Sequence, residues 1–211
     1  MVTDLVGLKL SLMILFHPID SFYVVKRDKK QFAWWYAAIL YLFSVLSQFA
    51  YIYFVHYPLS SIRPKDANLV LEIVKVLLPI LTWVVASYAV TTILDGESHF
   101  GEIFKSTSLC TVPFTLITLT ATALSRILSI EEEGLFILLQ SLAIAWMVIL
   151  IWISLKTGND YSFGKSLIVT FISLIAMVII WALCLLLFAL TSQLFSLFSG
   201  LYLEIKMTLG K

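Results

Sequence analysis

Asp95, Glu97, His99 and Glu102 place three carboxylates and an imidazole within eight residues of one polar connector. Such a set can hold a divalent cation. It can equally make a solvated loop that caps the helix behind it, because a carboxylate near a helix start accepts from free N–H groups and suits the positive end. We take the capping role as the expectation, with no metal and no cofactor. His17 and His56 fall in other connectors, and no GxSxG, HExxH, phosphate-binding or dinucleotide fingerprint occurs. Cys110 and Cys184 lie inside apolar runs with no CxxC spacing, which reads as two small buried apolar residues. The chain is not expected to be an enzyme.

The same connector has an echo. Glu97-Ser98-His99-Phe100-Gly101-Glu102 aligns with Asp160-Tyr161-Ser162-Phe163-Gly164-Lys165 at an offset of 63 residues, and Gly96 and Gly158 precede the two copies. Asp95, Glu97, Phe100, Gly101, Asp160, Phe163 and Gly164 are therefore the candidate partner-contacting loop residues. A second pattern lies further on. Thr111, Thr115, Thr118, Thr122 and Ser125 recur at spacings of 4, 3, 4 and 3, which puts five small hydroxyl residues on one helix face. Small faces let membrane helices pack closely; a polar path for a solute or lipid headgroup is the other use of this stripe.

The elements that carry these residues are membrane spans. Phe32–Phe54, Val70–Leu94, Ser108–Ile127, Leu135–Leu155 and Leu167–Leu190 are each apolar and long enough to cross, given about 20 residues for roughly 30 Å of hydrocarbon. Hydrophobic residues make up 61 % of the 211 and charged residues 13 %, about half the charged share of soluble domains. A net charge of +1 gives no field directed at nucleic acid, which is not an expected partner.

The expected fold is an all-α polytopic membrane protein of five transmembrane helices. Residues 1–31 form an N-terminal interfacial helix with a basic segment, residues 32–190 the five-span domain, and residues 191–211 a partly apolar tail. Leu5–Phe16 is too short to span and ends at His17-Pro18; it either lies along the surface as an amphipathic helix or packs on the bundle. Lys26, Arg27, Lys29 and Lys30 precede the first span and predict a cytoplasmic N-terminus and an outside C-terminus. Both copies of the repeated loop then face the cytoplasm. Spans two and three would form one hairpin and spans four and five another, related by a pseudo-two-fold along the membrane normal.

His17-Pro18-x-Asp20-x-Phe22-Tyr23-x-x-Lys26, Thr91-Thr92-Ile93-Leu94-Asp95-Gly96-Glu97-x-x-Phe100 and Asp160-Tyr161-Ser162-x-Gly164-Lys165 resemble bacterial members of the Yip family, named for Ypt/Rab-interacting proteins. The resemblance covers nearly the whole chain and implies five spans in a bacterial cell membrane. Eukaryotic relatives bind Rab GTPases and shape or traffic membranes. They carry a longer cytosolic N-terminal region with an Asp-Leu-Tyr-Gly-Pro motif that this sequence lacks, so Rab binding is not carried over. The absence of catalytic groups, the short connectors and the small-residue helix faces point to a non-catalytic membrane adaptor that associates with the bilayer and with other integral membrane proteins, a transporter among them, or with itself. The bacterial members of the family, which resemble accessory proteins of transport systems, agree with this. An oligomeric channel, transporter or lipid-moving protein is the alternative, and membrane shaping a third.

Overall fold

A computed structural model describes residues 2–27, 32–55, 67–128 and 130–209, so Lys29, Lys30 and most of the connector after the first span lie outside the described residues. The described residues form seven α-helices and one short 3-10 turn, with no strand among them. They are α1 (Val2–Phe16), α2 (Pro18–Arg27), α3 (Trp34–Phe54), α4 (Leu69–Ile93), α5 (Phe100–Leu124), α6 (Glu133–Gly158) and α7 (Phe163–Leu209). Five of these, α3 to α7, are long and apolar enough to cross a membrane.

The N-terminal segment is two helices. Pro18 has no N–H to give, which suits the first position of a helix. The break falls there: His17 N–H closes α1 onto Met13 O at 2.7 Å, and Ser21 N–H opens α2 onto His17 O at 3.2 Å. Of the two fates open to α1 in the sequence, the structure shows packing on the bundle. Leu10 and Ile14 are buried with Phe22 and Val25 of α2, Ala37 of α3, Leu109 and Cys110 of α5 and Leu150 of α6. Leu8, Leu12 and Phe16 face outward.

Helices α4 to α7 form a ring in which the strongest pairings run between the expected hairpins. α5 packs on α6 as α4 packs on α7, while the contacts inside each hairpin are lighter. This is the pairing that a two-fold relating α4–α5 to α6–α7 would produce. α3, α1 and α2 break the symmetry by covering α5 and α6. More than half of the α5 span is buried, against 6 % of the α7 span.

Two span-level expectations change. The third span begins earlier and ends sooner than 108–127, because α5 starts at Phe100 directly after the loop. The last helix does not stop at Leu190 but runs on to Leu209, 47 residues in all, or about 70 Å. Cys110 is buried as expected, whereas Cys184 is exposed, since α7 has so little of its surface against the bundle. Trp181 of α7 donates Nε1–H to Thr82 Oγ1 of α4 at 3.1 Å, a polar tie between these two helices.

Candidate functional site

The repeated connectors meet at one end of the bundle. Each begins where a helix ends in the same way. Leu94 caps α4, Asp95 takes a left-handed backbone at φ 54°, and Gly96 N–H returns to Thr91 O at 2.8 Å. Asn159 caps α6, Asp160 is left-handed at φ 49°, and Tyr161 N–H returns to Lys156 O at 3.1 Å. Both are Schellman-type ends with aspartate where glycine is usual; a short polar side chain tolerates that conformation better than most.

The next helix opens on a capping bond in both copies, made in opposite senses. Glu102 reaches back to accept from His99 N–H at 3.3 Å, and Ser162 Oγ accepts from Lys165 N–H at 3.4 Å. Phe100 then packs edge-on against Tyr88 of α4, and Phe163 edge-on against Trp152 of α6. The helix starts therefore keep the offset of 63, Phe100 to Phe163, but the helix ends have an offset of 65, Asp95 to Asp160. The structural match of Asp160 is Asp95, not Glu97 as the sequence alignment had it. The first loop holds two more residues, and an ungapped alignment could not show where they enter.

The loops are bound to one another. Asn159 Oδ1 accepts from the buried Ser98 N–H at 3.0 Å while its Nδ2 donates to Leu155 O at 3.0 Å. Tyr161 donates its hydroxyl to Leu94 O at 3.1 Å. The two leading glycines allow this approach: a Cβ on Gly96 would stand 2.6 Å from Asn159 Oδ1, and one on Gly158 would stand 2.8 Å from Ser98 Oγ. Lys26, at the end of α2, closes the arrangement with Nζ 2.9 Å from Glu97 Oε2 and 2.5 Å from Asp160 Oδ2.

Electrostatics explain the lysine. A carboxylate at a helix C-terminus faces the negative end of the dipole, and Asp160 sits there, so a cation is needed. Burial works against the Lys26 charge, but its hydrogen bonds to Asp160 and Glu97 and their negative charges outweigh that, and its pKa stands above the ordinary lysine value. Burial, with the nearby Asp95 carboxylate, likewise pushes the Tyr161 phenol up.

The acidic connector does not assemble as a metal cage. Glu97 turns to Lys26, Glu102 caps α5 with its other oxygen 3.6 Å from His99 Nδ1, and no group of three or more ligand-type side chains forms among the described residues. Gly101 and Gly164 part company as well. A Cβ on Gly101 would lie 2.6 Å from the Trp34 ring of α3, whereas Gly164 faces open space.

A family model described as the Yip1 domain matches residues 12–186, which takes in the end of α1, both loops and α7 into its transmembrane part. The chain belongs to the Yip1 domain family. No curated protein and no solved structure matches. Every residue of the loop knot, Lys26 included, lies inside the Yip1 match.

The hydroxyl stripe lies elsewhere, within the Yip1 bundle. Thr111, Thr115, Thr118, Thr122 and Ser125 are all buried. Four of them donate to carbonyls of their own helix: Thr111 to Ser108 O, Thr115 to Thr111 O, Thr122 to Thr118 O and Ser125 to Thr122 O, at 2.7–2.9 Å. Thr118 Oγ1 is buried with no partner.

Sequence reasoning took Phe100, Gly101, Phe163 and Gly164 for loop residues, where the structure makes them the first turns of α5 and α7, and it missed Lys26 as the clamp and Asn159 as the strut. Lys26 reads in sequence as one of four basic residues before a span and as the end of the pattern over residues 17–26, and neither points to Asp160. The glycines at 96 and 158 were the available signal, since glycine marks places where other atoms come close.

Proposed function

We propose that this Yip1-domain protein is a non-catalytic membrane adaptor that presents the joined ends of its two hairpins to another integral membrane protein. The observation that carries this reading is the Lys26 clamp on Glu97 and Asp160. It makes one platform from α2 and two loops otherwise far apart in sequence. Much of the polar character of the platform is engaged in holding it together, and beside the exposed Glu97, His99 and Asp160 side chains it shows two aromatic rings outward: Phe163 is 60 % exposed and Phe100 39 %. A rigid surface with exposed aromatic anchors suits protein docking, because little ordering entropy is lost on binding.

In this reading the platform faces the cytoplasm of a bacterial cell, the N-terminus is inside, and the partner is a transport system that the protein serves as an accessory subunit. The buried Thr stripe fits the same reading, as its hydroxyls serve the packing of α5.

The test is co-purification from native membranes in mild detergent with mass spectrometry, comparing wild type with Phe163→Ala and Phe100→Ala. The adaptor reading expects a stoichiometric integral-membrane partner that is lost or weakened at least several-fold in Phe163→Ala, with the variant's melting temperature close to wild type. A lone oligomer from wild type, or a partner held equally by both variants, would overturn it.

A further inference from the structure

Beside the platform, a cavity of about 670 Å³ opens between α2 and the last turns of α6. Its contents are unusual for a surface hollow. Lys156 reaches it from the final turn of α6, half-buried, with Nζ 5.9 Å from the ring centroids of both Trp152 and Phe163. No carboxylate pairs with Lys156 among the described residues. A cation held by ring faces keeps its full charge while its position is fixed. Thr157 and Tyr23 bring hydroxyl groups, and Ile19, Ile153 and the Trp152 ring make an apolar wall.

Two further features fix the kind of ligand. Asp160 also lines the cavity, but its charge is taken up by Lys26. A second hollow shares Tyr23 and Asp160 and adds Lys26 and Arg27 beside the Asp20 carboxylate, while Lys165 stands over the Tyr161 ring at 4.5 Å. Neither Arg27 nor Lys165 has a carboxylate partner among the described residues. The site therefore lies at the end of a membrane-crossing helix, beside tryptophan and tyrosine side chains of the kind that settle at headgroup depth. A lysine in the last helical turn also complements the helix dipole, but that role needs neither a cavity nor an apolar wall.

We propose that this cavity seats the phosphate of a membrane phospholipid, with the phosphodiester on Lys156 and the glycerol and first methylenes along Ile19, Ile153 and Trp152. Basic pockets between transmembrane helices take lipid headgroups by this combination of charge and apolar wall. The proposal stands apart from the adaptor reading, since a lipid can occupy the cavity whether or not a protein docks on the loops.

The test is native mass spectrometry of the full chain released from mild detergent after equilibration with phosphatidylethanolamine, phosphatidylglycerol or diacylglycerol of the same acyl chains. Phospholipid is expected to be retained about tenfold over diacylglycerol, the effect of one charge-assisted contact. Lys156→Gln should bring retention down to the diacylglycerol level, Lys156→Arg should keep it, and Lys9→Gln on the exposed side of α1 should leave it unchanged. A separate readout needs no variant: phospholipid should raise the wild-type melting temperature where diacylglycerol does not. Equal retention of diacylglycerol, or phospholipid retention unaffected in a folded Lys156→Gln, would overturn the proposal. Displacement of the lipid by millimolar inorganic phosphate would also overturn it, by making the site one for a soluble anion.

Discussion

Asp95 and Asp160 occupy the same conformation at the same point of two loops, each left-handed directly after a helix cap, with φ 54° and 49°. Their surroundings differ in one respect. Asp160 is bound by Lys26, whereas Lys26 makes its other contact with Glu97, two residues beyond Asp95. The two extra residues of the first loop thus carry the clamped carboxylate away from the helix end and leave Asp95 at the negative pole of α4 with no cation bound among the described residues.

Equal geometry with unequal pairing predicts substitutions of opposite sign. Asp95→Asn keeps a side chain that tolerates the left-handed region and removes a charge opposed to the helix dipole, so it should stabilise by about 0.5 kcal/mol. Asp160→Asn removes the charge that Lys26 holds and should destabilise by about 0.5–1 kcal/mol, the range for a partly exposed pair. Thermal melting in one detergent measures both, and a shift of the same sign in the two variants would contradict the assignment.

The clamp has a defined pH window. The folded-state pKa of Lys26 lies above the unfolded value, so its contribution is complete below the ordinary lysine pKa of about 10.4 and is lost as pH rises through the folded value. Lys26→Met should therefore lie below wild type by about 1 kcal/mol at neutral pH. That gap should hold to about pH 10 and close above it. Melting of both proteins across this range is the check. Taking the difference removes the titration of Tyr161, which both chains share.

Glycine substitutions separate close approach from helix propensity. Gly96→Ala would push a methyl into Asn159 Oδ1, Tyr161 Oη and Thr91 Cβ at 2.6–2.8 Å, and should cost about 1–3 kcal/mol as the loops part. Gly164→Ala meets nothing within 4 Å in the first turn of α7 and should gain up to about 0.5–1 kcal/mol. Hydrogen exchange at Ser98 N–H, which is bound to Asn159, should quicken in the first variant only.

Five spans, the capping character of the two loops and the small-residue face of α5 were legible because each is a local property: a run length, a cap, a spacing. The helix starts at Phe100 and Phe163 were not, since the polar residues of each first turn read as connector. The fate of α1 was not. Its apolar residues stand all round the helix, and only the presence of Ala37, Leu109 and Leu150 decides which side is covered. The clamp was hidden for another reason. Lys26 and Asp160 are 134 residues apart, and nothing in the spacing of either segment refers to the other. The loop similarity showed that two ends resemble each other but not that they touch.

The unequal burial of α5 and α7 can be traced to side-chain size on one face. With the helix starts offset by 63, Thr111, Thr115, Thr122 and Ser125 of α5 correspond to Leu174, Val178, Leu185 and Phe188 of α7. The first set is buried and the second exposed. Small hydroxyl residues admit close neighbours, and bulky apolar ones suit lipid. Thr111→Leu, which gives α5 the residue of its counterpart, should therefore overpack the crowded face and destabilise by about 1–3 kcal/mol. Thr118→Val should behave in the opposite way. Its hydroxyl is buried without a partner, and removing an unsatisfied polar group at nearly constant volume should gain up to about 1 kcal/mol. If melting shows Thr118→Val to be destabilised as strongly as Thr111→Leu, the stripe depends on its hydroxyl groups and not on their small size, and a polar role for this face regains support.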